Sequence, residues 1–283
     1  MKHASLLLIL TIFSCLSLFA QLKTPKSSPF SRIEQTVGLS KITVAYSRPG
    51  VKGRKIFGEL VDYSKVWRTG ANSATTVSFS QDVKIGGKEL KAGEYSLFSI
   101  PGEKEWTIIF NKETNLWGSF DYKEGEDMLR VKVPAQKLEH LVETFTIDFY
   151  NLHNNGATMS IAWEHTKVAF EIEANSKLLV EKQIDKLLID GPSVGTLYGA
   201  ARHYLENGKD LEQAFIWIEK AIEKRPNGYW MIYRKALIEE GLGKVKDAIK
   251  TTMHCRELAI ADKDGDYGYT KLCDELLARL NTK

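Results

Sequence analysis

Between residues 32 and 174 the dominant pattern is an apolar side chain at every second position. Ile42, Val44 and Tyr46 alternate with Thr43, Ala45 and Ser47, and Val77 and Phe79 alternate with Ser78 and Ser80. Leu129, Val131 and Val133 continue the rhythm. So do three later runs: Phe145, Ile147 and Phe149; Met159, Ile161 and Trp163; and Val168, Phe170 and Ile172. Successive side chains of a strand point to opposite faces, so this period predicts strands with one buried face each. Gly86-Gly87 and Pro101-Gly102 supply tight turns between neighbouring runs. The pattern yields about eight to ten short strands with no helical spacers, which excludes the long crossovers of a parallel sheet. The fold expected for 32–174 is an antiparallel β-sandwich, or a barrel-like closure of the same strands.

After Glu173 the rhythm becomes helical. Leu178, Leu179, Ile184, Leu187 and Leu188 suit a helix. From Gly195 onward, Ala214 and Ala248 are 34 residues apart, as are Ala221 and Cys255, and Tyr198 and Ile232. Gly208 and Gly243 mark turns, and Pro226 closes the first unit. Small residues in these slots let adjacent helices approach closely, and the 34-residue spacing over 195–262 resembles the tetratricopeptide repeat. Arg202, Lys235 and Glu239 depart from the slots of that family's first helix. Residues 175–283 are thus expected to form helical hairpins, giving an α+β chain in two parts. Two repeats are too few to stand alone, because each buries its apolar face only against neighbours.

The first twenty residues carry a different pattern. Lys2 and His3 precede the almost wholly apolar run Leu6–Leu18, and Ala20 offers a small residue at a cleavage point. This is the pattern of a signal peptide over 1–20, with an apolar run shorter than a spanning helix needs. The polar, Pro- and Ser-containing stretch 21–31 reads as a flexible lead-in. The expected destination is periplasmic or extracellular, with no membrane span once the leader is gone. A formal net charge of +3 over 283 residues gives no electrostatic case for nucleic acid or an anionic membrane surface. Cys255 and Cys273 are the cysteines beyond the leader, too few for a disulfide framework.

Several motifs suggest chemistry and fail on context. Gly191-Pro192-Ser193-Val194-Gly195 fits the G-x-S-x-G pattern, which needs a strand-to-helix turn above a parallel sheet. Here the preceding run is helical, and Ser193 is expected as a helix N-cap. Asp262, Asp264 and Asp266 open like a calcium loop, yet Tyr267 stands where its glycine belongs and Cys273 where its glutamate belongs. The histidines show no zinc-binding spacing. Asp121, Glu124, Glu126 and Asp127 read as a solvated turn. No cofactor, metal or catalytic residue is expected.

The strongest candidate lies in the irregular stretch 47–74, which breaks the alternation. Irregular segments of this length are more often functional than an average connection. Trp67, Arg68 and Asn72 lie close together there, with Arg48 and Arg54 upstream. An aromatic face, a fixed cation and an amide suit a carbohydrate or a carboxylate. The competing structural account has Trp67 plugging the end of the β-domain, Arg68 satisfying loop carbonyls and Asn72 holding a turn. In the helical part, Tyr229, Trp230 and Tyr233 are candidate anchors for a partner protein or peptide. The alternative is that they serve packing.

The segments SRPGVKGRKIFG (47–58), VWRTGANSATTVSF (66–79) and KAGEYSLFSIPGEKEWTIIFN (91–111) appear in order, followed by LWGSFDY and DMLRVKVP. Over about 30–173 the chain resembles the secreted family catalogued as domain of unknown function 2911. That resemblance implies export and a β fold. It places Arg48, Arg54, Trp67, Arg68, Gly70, Asn72, Gly93, Tyr95, Asn111, Trp117, Asp127, Arg130 and Trp163 on signature positions. Where the family pattern often carries Glu after the Asn, this chain has Ser73. The expected function is an exported, non-catalytic binding or scaffold protein whose helical hairpins take a protein partner. The alternative is a glycan- or small-molecule-binding protein, or a hydrolase, using a pocket at Trp67–Asn72.

Overall fold

The computed structural model describes residues 24–188 and 191–282. The expected signal peptide lies outside the described residues. The chain divides into two compact units, the first ending at Ser176 and the second beginning at Lys177.

The first unit contains β1 (Phe30–Val37), β2 (Ser40–Ser47), β3 (Thr75–Phe79), β4 (Val83–Ile85), β5 (Lys88–Leu90), β6 (Gly93–Ile100), β7 (Glu105–Asn111), β8 (Asp127–His153) and β9 (Gly156–Ala174). Together they form one nine-stranded sheet in the order β1-β2-β3-β6-β7-β8-β9-β4-β5. Every neighbouring pair is antiparallel. The turns expected at Gly86-Gly87 and Pro101-Gly102 join β4 to β5 and β6 to β7. β1 starts at Phe30, two residues inside the stretch expected as a lead-in, because the backbone pairs Phe30 with Ser47 across a full ladder.

Two strands are much longer than expected. β8 runs for 27 residues and β9 for 19. β8 pairs with β7 through its first part and with β9 through the remainder. Within β9 the buried side chains change parity, from Met159, Ile161 and Trp163 to Val168, Phe170 and Ile172. Between them Glu164 adopts φ +55°, and the register with β8 is irregular around it. A bulge of this kind lets one continuous strand keep both halves facing the core. A bridge between Gly50 and Thr144 sets the chain after β2 against the second part of β8, so the sheet turns back on itself. An extensive apolar cluster fills the interior and includes Tyr46, Trp106, Phe145, Trp163 and Ile172, and a smaller one gathers Ala74, Phe98, Ile109 and Leu116.

The second unit holds α1 (Ser176–Leu187), α2 (Val194–Glu206), α3 (Leu211–Lys224), α4 (Tyr229–Gly241), α5 (Val245–Ala261) and α6 (Tyr269–Leu280). Ser193 caps α2, its hydroxyl accepting from the Thr196 N–H at 3.1 Å. Asp210 caps α3 in the same way through the Gln213 N–H. Consecutive helices from α2 to α6 pack on one another. Ala214, Ala221, Ala248 and Cys255 are all fully enclosed, as close helix–helix approach requires.

Candidate functional site

The segment between β2 and β3 is irregular without being loose. Bridges pin it at Gly50 to Thr144, at Trp67 to Ser99 and at Ser73 to Trp117. Two of its arginines are spent on holding it. Arg48 donates from Nε to the Phe145 carbonyl at 3.0 Å and from Nη2 to Thr146 Oγ1 at 2.8 Å, fastening β2 to β8. Arg54 donates to the carbonyls of Val51 (3.0 Å) and Gly50 (2.6 Å), closing its own turn.

Trp67 is a core residue, only 9% exposed. It stacks on Trp163 with ring centroids 6.0 Å apart, and the rings of Phe57, Trp106 and Phe145 meet it edge-on. Its indole N–H donates to the Gly70 carbonyl at 3.1 Å. So enclosed, the indole leaves little ring surface on which a sugar could stack.

Arg68, the next residue, is in the opposite situation. Its guanidinium is half-buried, its Nε has no hydrogen-bond partner, and burial alone lowers its pKa below the usual arginine value. No carboxylate among the described residues offsets the charge. The backbone that presents it is strained: Thr69 has φ +50° and Asn72 φ +61°, with Gly70 at +151° between them. A β-branched residue in the left-handed region is an outlier, held only where surrounding bonds over-determine it. Here the Thr69 hydroxyl lies 2.9 Å from that of Ser99, and Thr75 Oγ1 donates to the Thr69 carbonyl at 2.6 Å. Asn72 donates from Nδ2 to Ser47 Oγ at 3.2 Å.

A second loop, between β7 and β8, completes the site. The Gly118 N–H donates to the Asn72 carbonyl at 3.2 Å and the Ala74 N–H to the Leu116 carbonyl at 3.0 Å, which sets Trp117 beside Ser73. Trp117 is 65% exposed and Phe120 85%. Gly118 has φ +76°, and a Cβ there would stand 3.0 Å from the Phe120 ring and 3.5 Å from Arg68 Nη1. Glycine thus permits the guanidinium and the aromatic ring to approach the loop together.

The base of this loop is tied by a polar network. Asn111 donates to Asp127 Oδ1 at 2.7 Å; Tyr122 and Arg130 Nε each donate to Asp127 Oδ2 at 2.6 Å; Arg130 Nη2 donates to the Tyr122 hydroxyl at 2.6 Å. Burial first, then the Asp127 hydrogen bond, pushes the Tyr122 phenol up to about 12. Asp127 is thus part of an enclosed tie, where the sequence suggested a solvated turn.

Two clefts flank the Arg68–Ser73 loop. One, of about 530 Å³, is lined by Lys26, Tyr46, Asn72, Ser73 and Trp117. The other, of about 310 Å³, is lined by Lys52, Arg54, Arg68 and Gly70, with the edges of Trp67 and Trp163. Ser27 and Ser28 line both. Among the described residues lining them are four cations and no Asp, Glu, His or Cys.

Of the residues singled out in the sequence, Arg54, Trp67 and Arg68 meet at one cleft and Asn72 lines the other. Arg48 lines neither of these two clefts. In the second unit, Tyr229 is buried and Trp230 and Tyr233 are partly buried in the clusters around α4. Tyr229 is enclosed, its ring against Trp230 and Tyr269 and its hydroxyl donating to the Gly265 carbonyl. Trp230 carries the Arg225 guanidinium 4.7 Å from its ring centre, and Tyr233 meets Tyr269 edge-on. Tyr229 therefore has no free surface to offer as an anchor. Trp117, placed on a signature position by the family resemblance but not among the candidate ligand residues, lines the first cleft; a tryptophan beside a glycine in a polar loop, outside any alternating run, is a signal the sequence carries. Asp266, in the acidic turn, spends its carboxylate on the N–H groups of Gly268 and Thr270. Among the described residues no group of three His, Cys, Asp or Glu side chains stands together as a metal site requires.

A family profile described as "Protein of unknown function (DUF2911)" matches residues 28–172, just over half of the chain. No curated protein and no solved structure matches it.

Proposed function

The chain belongs to the DUF2911 family, and from that premise we propose that it is an exported, non-catalytic binding protein whose β-unit takes a ring-bearing carboxylate, such as an acidic saccharide. The observation that carries this is Arg68. A half-buried cation without a counter-charge is costly to hold, and a bound anion would offset that cost. Lys52 and Arg54 add positive charge to the same cleft, and Lys26 to the neighbouring one. Trp117 offers the exposed ring face that Trp67 lacks, and Asn72 and Ser73 provide hydrogen-bonding groups beside it. Catalysis has no support in the lining of these clefts, where no carboxylate, imidazole or thiol among the described residues stands ready for proton transfer or attack.

The helical unit is read as tetratricopeptide-like. Its support is the enclosure of Ala214 and Ala248, and of Ala221 and Cys255, at equivalent places 34 residues apart. Export is read from the leader pattern over 1–20. No helix among the described residues is long and apolar enough to cross a membrane.

Isothermal titration with a hexuronic acid oligomer and its neutral counterpart tests the ligand class. Binding of the acidic oligomer alone is expected, and Arg68→Gln should weaken it by roughly 10- to 100-fold, the loss of charge-assisted hydrogen bonds worth about 1.5–3 kcal/mol. Trp117→Ala should weaken it by about tenfold through loss of stacking. Equal binding of neutral and acidic oligomers, or an unchanged Arg68→Gln isotherm, defeats the proposal.

A further inference from the structure

The second unit carries a feature unrelated to the cleft. Cys255, in α5, and Cys273, in α6, are both fully enclosed, and their sulfur atoms lie 3.2 Å apart. Both are free thiols. Around them pack Tyr229, Ile232 and Ala259, with Tyr233 and Tyr269 at the edge. The Cys255 thiol also lies 3.2 Å from the Tyr229 carbonyl oxygen. Such a pair differs from an isolated buried cysteine acting as a small apolar residue. A disulfide holds its sulfurs about 2.05 Å apart, so closure requires a movement of only about 1.1 Å.

We infer that Cys255 and Cys273 are a disulfide-forming pair that fastens α6 to α5 when the chain meets a disulfide oxidant. The bond would close a loop from 255 to 273 that contains the exposed turn at 262–268, with its left-handed residues Gly265, Tyr267 and Gly268. The oxidant is a small-molecule or protein disulfide, RSSR. One cysteine thiolate attacks it, forming a mixed disulfide and releasing one thiol, RSH. The second cysteine then attacks the mixed disulfide and releases the other. The net exchange oxidises the two cysteine sulfurs to one S–S bond and reduces RSSR to two RSH, the two thiol protons being carried away with the products. Cys273 is the more readily ionised partner, because its hydrogen bond with Cys255 lowers its pKa. The same hydrogen bond, followed by burial, pushes Cys255 up. Enclosure means that the exchange proceeds through local opening of α6 or during folding. Only the cellular setting rests on the export reading, since exported proteins meet oxidising conditions. The chemistry itself does not depend on the ligand proposed for the β-unit.

The test uses the purified full chain, reduced and then incubated, both native and during refolding, in buffers of oxidised and reduced glutathione. Alkylation followed by mass analysis counts the free thiols, and thermal melting is read in parallel. The expected result is loss of both free thiols within one molecule and a rise of about 10 °C in the melting of the helical unit, as closure of a short loop implies. The Cys255→Ala/Cys273→Ala variant should melt identically in both buffers, which separates the bond from general effects of the oxidant. The inference is overturned if both thiols stay free after refolding in oxidised glutathione. It is equally overturned if the bond forms and lowers the melting temperature.

Discussion

Arg48 and Arg68 sit in one irregular segment and have opposite fates. Arg48 hands its donors to Phe145 and Thr146 on β8, whereas Arg68 keeps an Nε without a partner. Nothing in the sequence around either residue distinguishes them, because the deciding neighbours lie about a hundred residues away. The same holds for Trp67, whose enclosure depends on Trp163 and Phe145. Trp117 is singled out by the family resemblance alone for a related reason: its place beside Asn72 and Ser73 comes from pairing between two loops. The tie at the base of its loop makes a prediction at this scale. The phenol of Tyr122 is held at about 12 in the folded chain, against an ordinary value of 10.0. Between those values the unfolded chain gives up a proton that the folded chain keeps. Stability from this group is therefore complete below about pH 10 and is lost as the pH rises toward about 12. Melting followed from pH 9 to pH 12 should fall less steeply in Tyr122→Phe than in wild type; parallel curves would remove Tyr122 from the account.

At the scale of elements, the period-two rhythm located the strands, and the helical rhythm after Glu173 located the hairpins. The sequence could not show continuity. Met159–Trp163 and Val168–Ile172 fall out of phase by one residue, and so read as separate strands. The bulge at Glu164 absorbs that residue and keeps both halves in one strand against β8 and β4. Deleting Glu164 should therefore turn Val168, Phe170 and Ile172 to the outside, because a one-residue slip exchanges the two faces of a strand. The expected outcome is loss of the cooperative β-unit transition in circular dichroism melting. A deletion variant that melts within a few degrees of wild type would show that the bulge does not set the phase.

Over the whole chain, each unit is built around its own apolar clusters, and the proposed function belongs to the first. Trp67 and Trp163, packed in one aromatic core with Trp106 and Phe145, line the cleft beside Arg68. The strained Thr69–Asn72 backbone then presents Arg68 to the cleft with its charge unmet. Sites built for binding commonly hold such a group at the expense of stability. Thermal melting of wild type and Arg68→Met, each with and without a hexuronic acid oligomer, tests this most directly. Without ligand, Arg68→Met should melt a few degrees higher, since the uncompensated cation is gone. With ligand, wild type alone should gain stability by mass action. An Arg68→Met protein that melts lower when free, or gains as much from the ligand as wild type, would contradict the account.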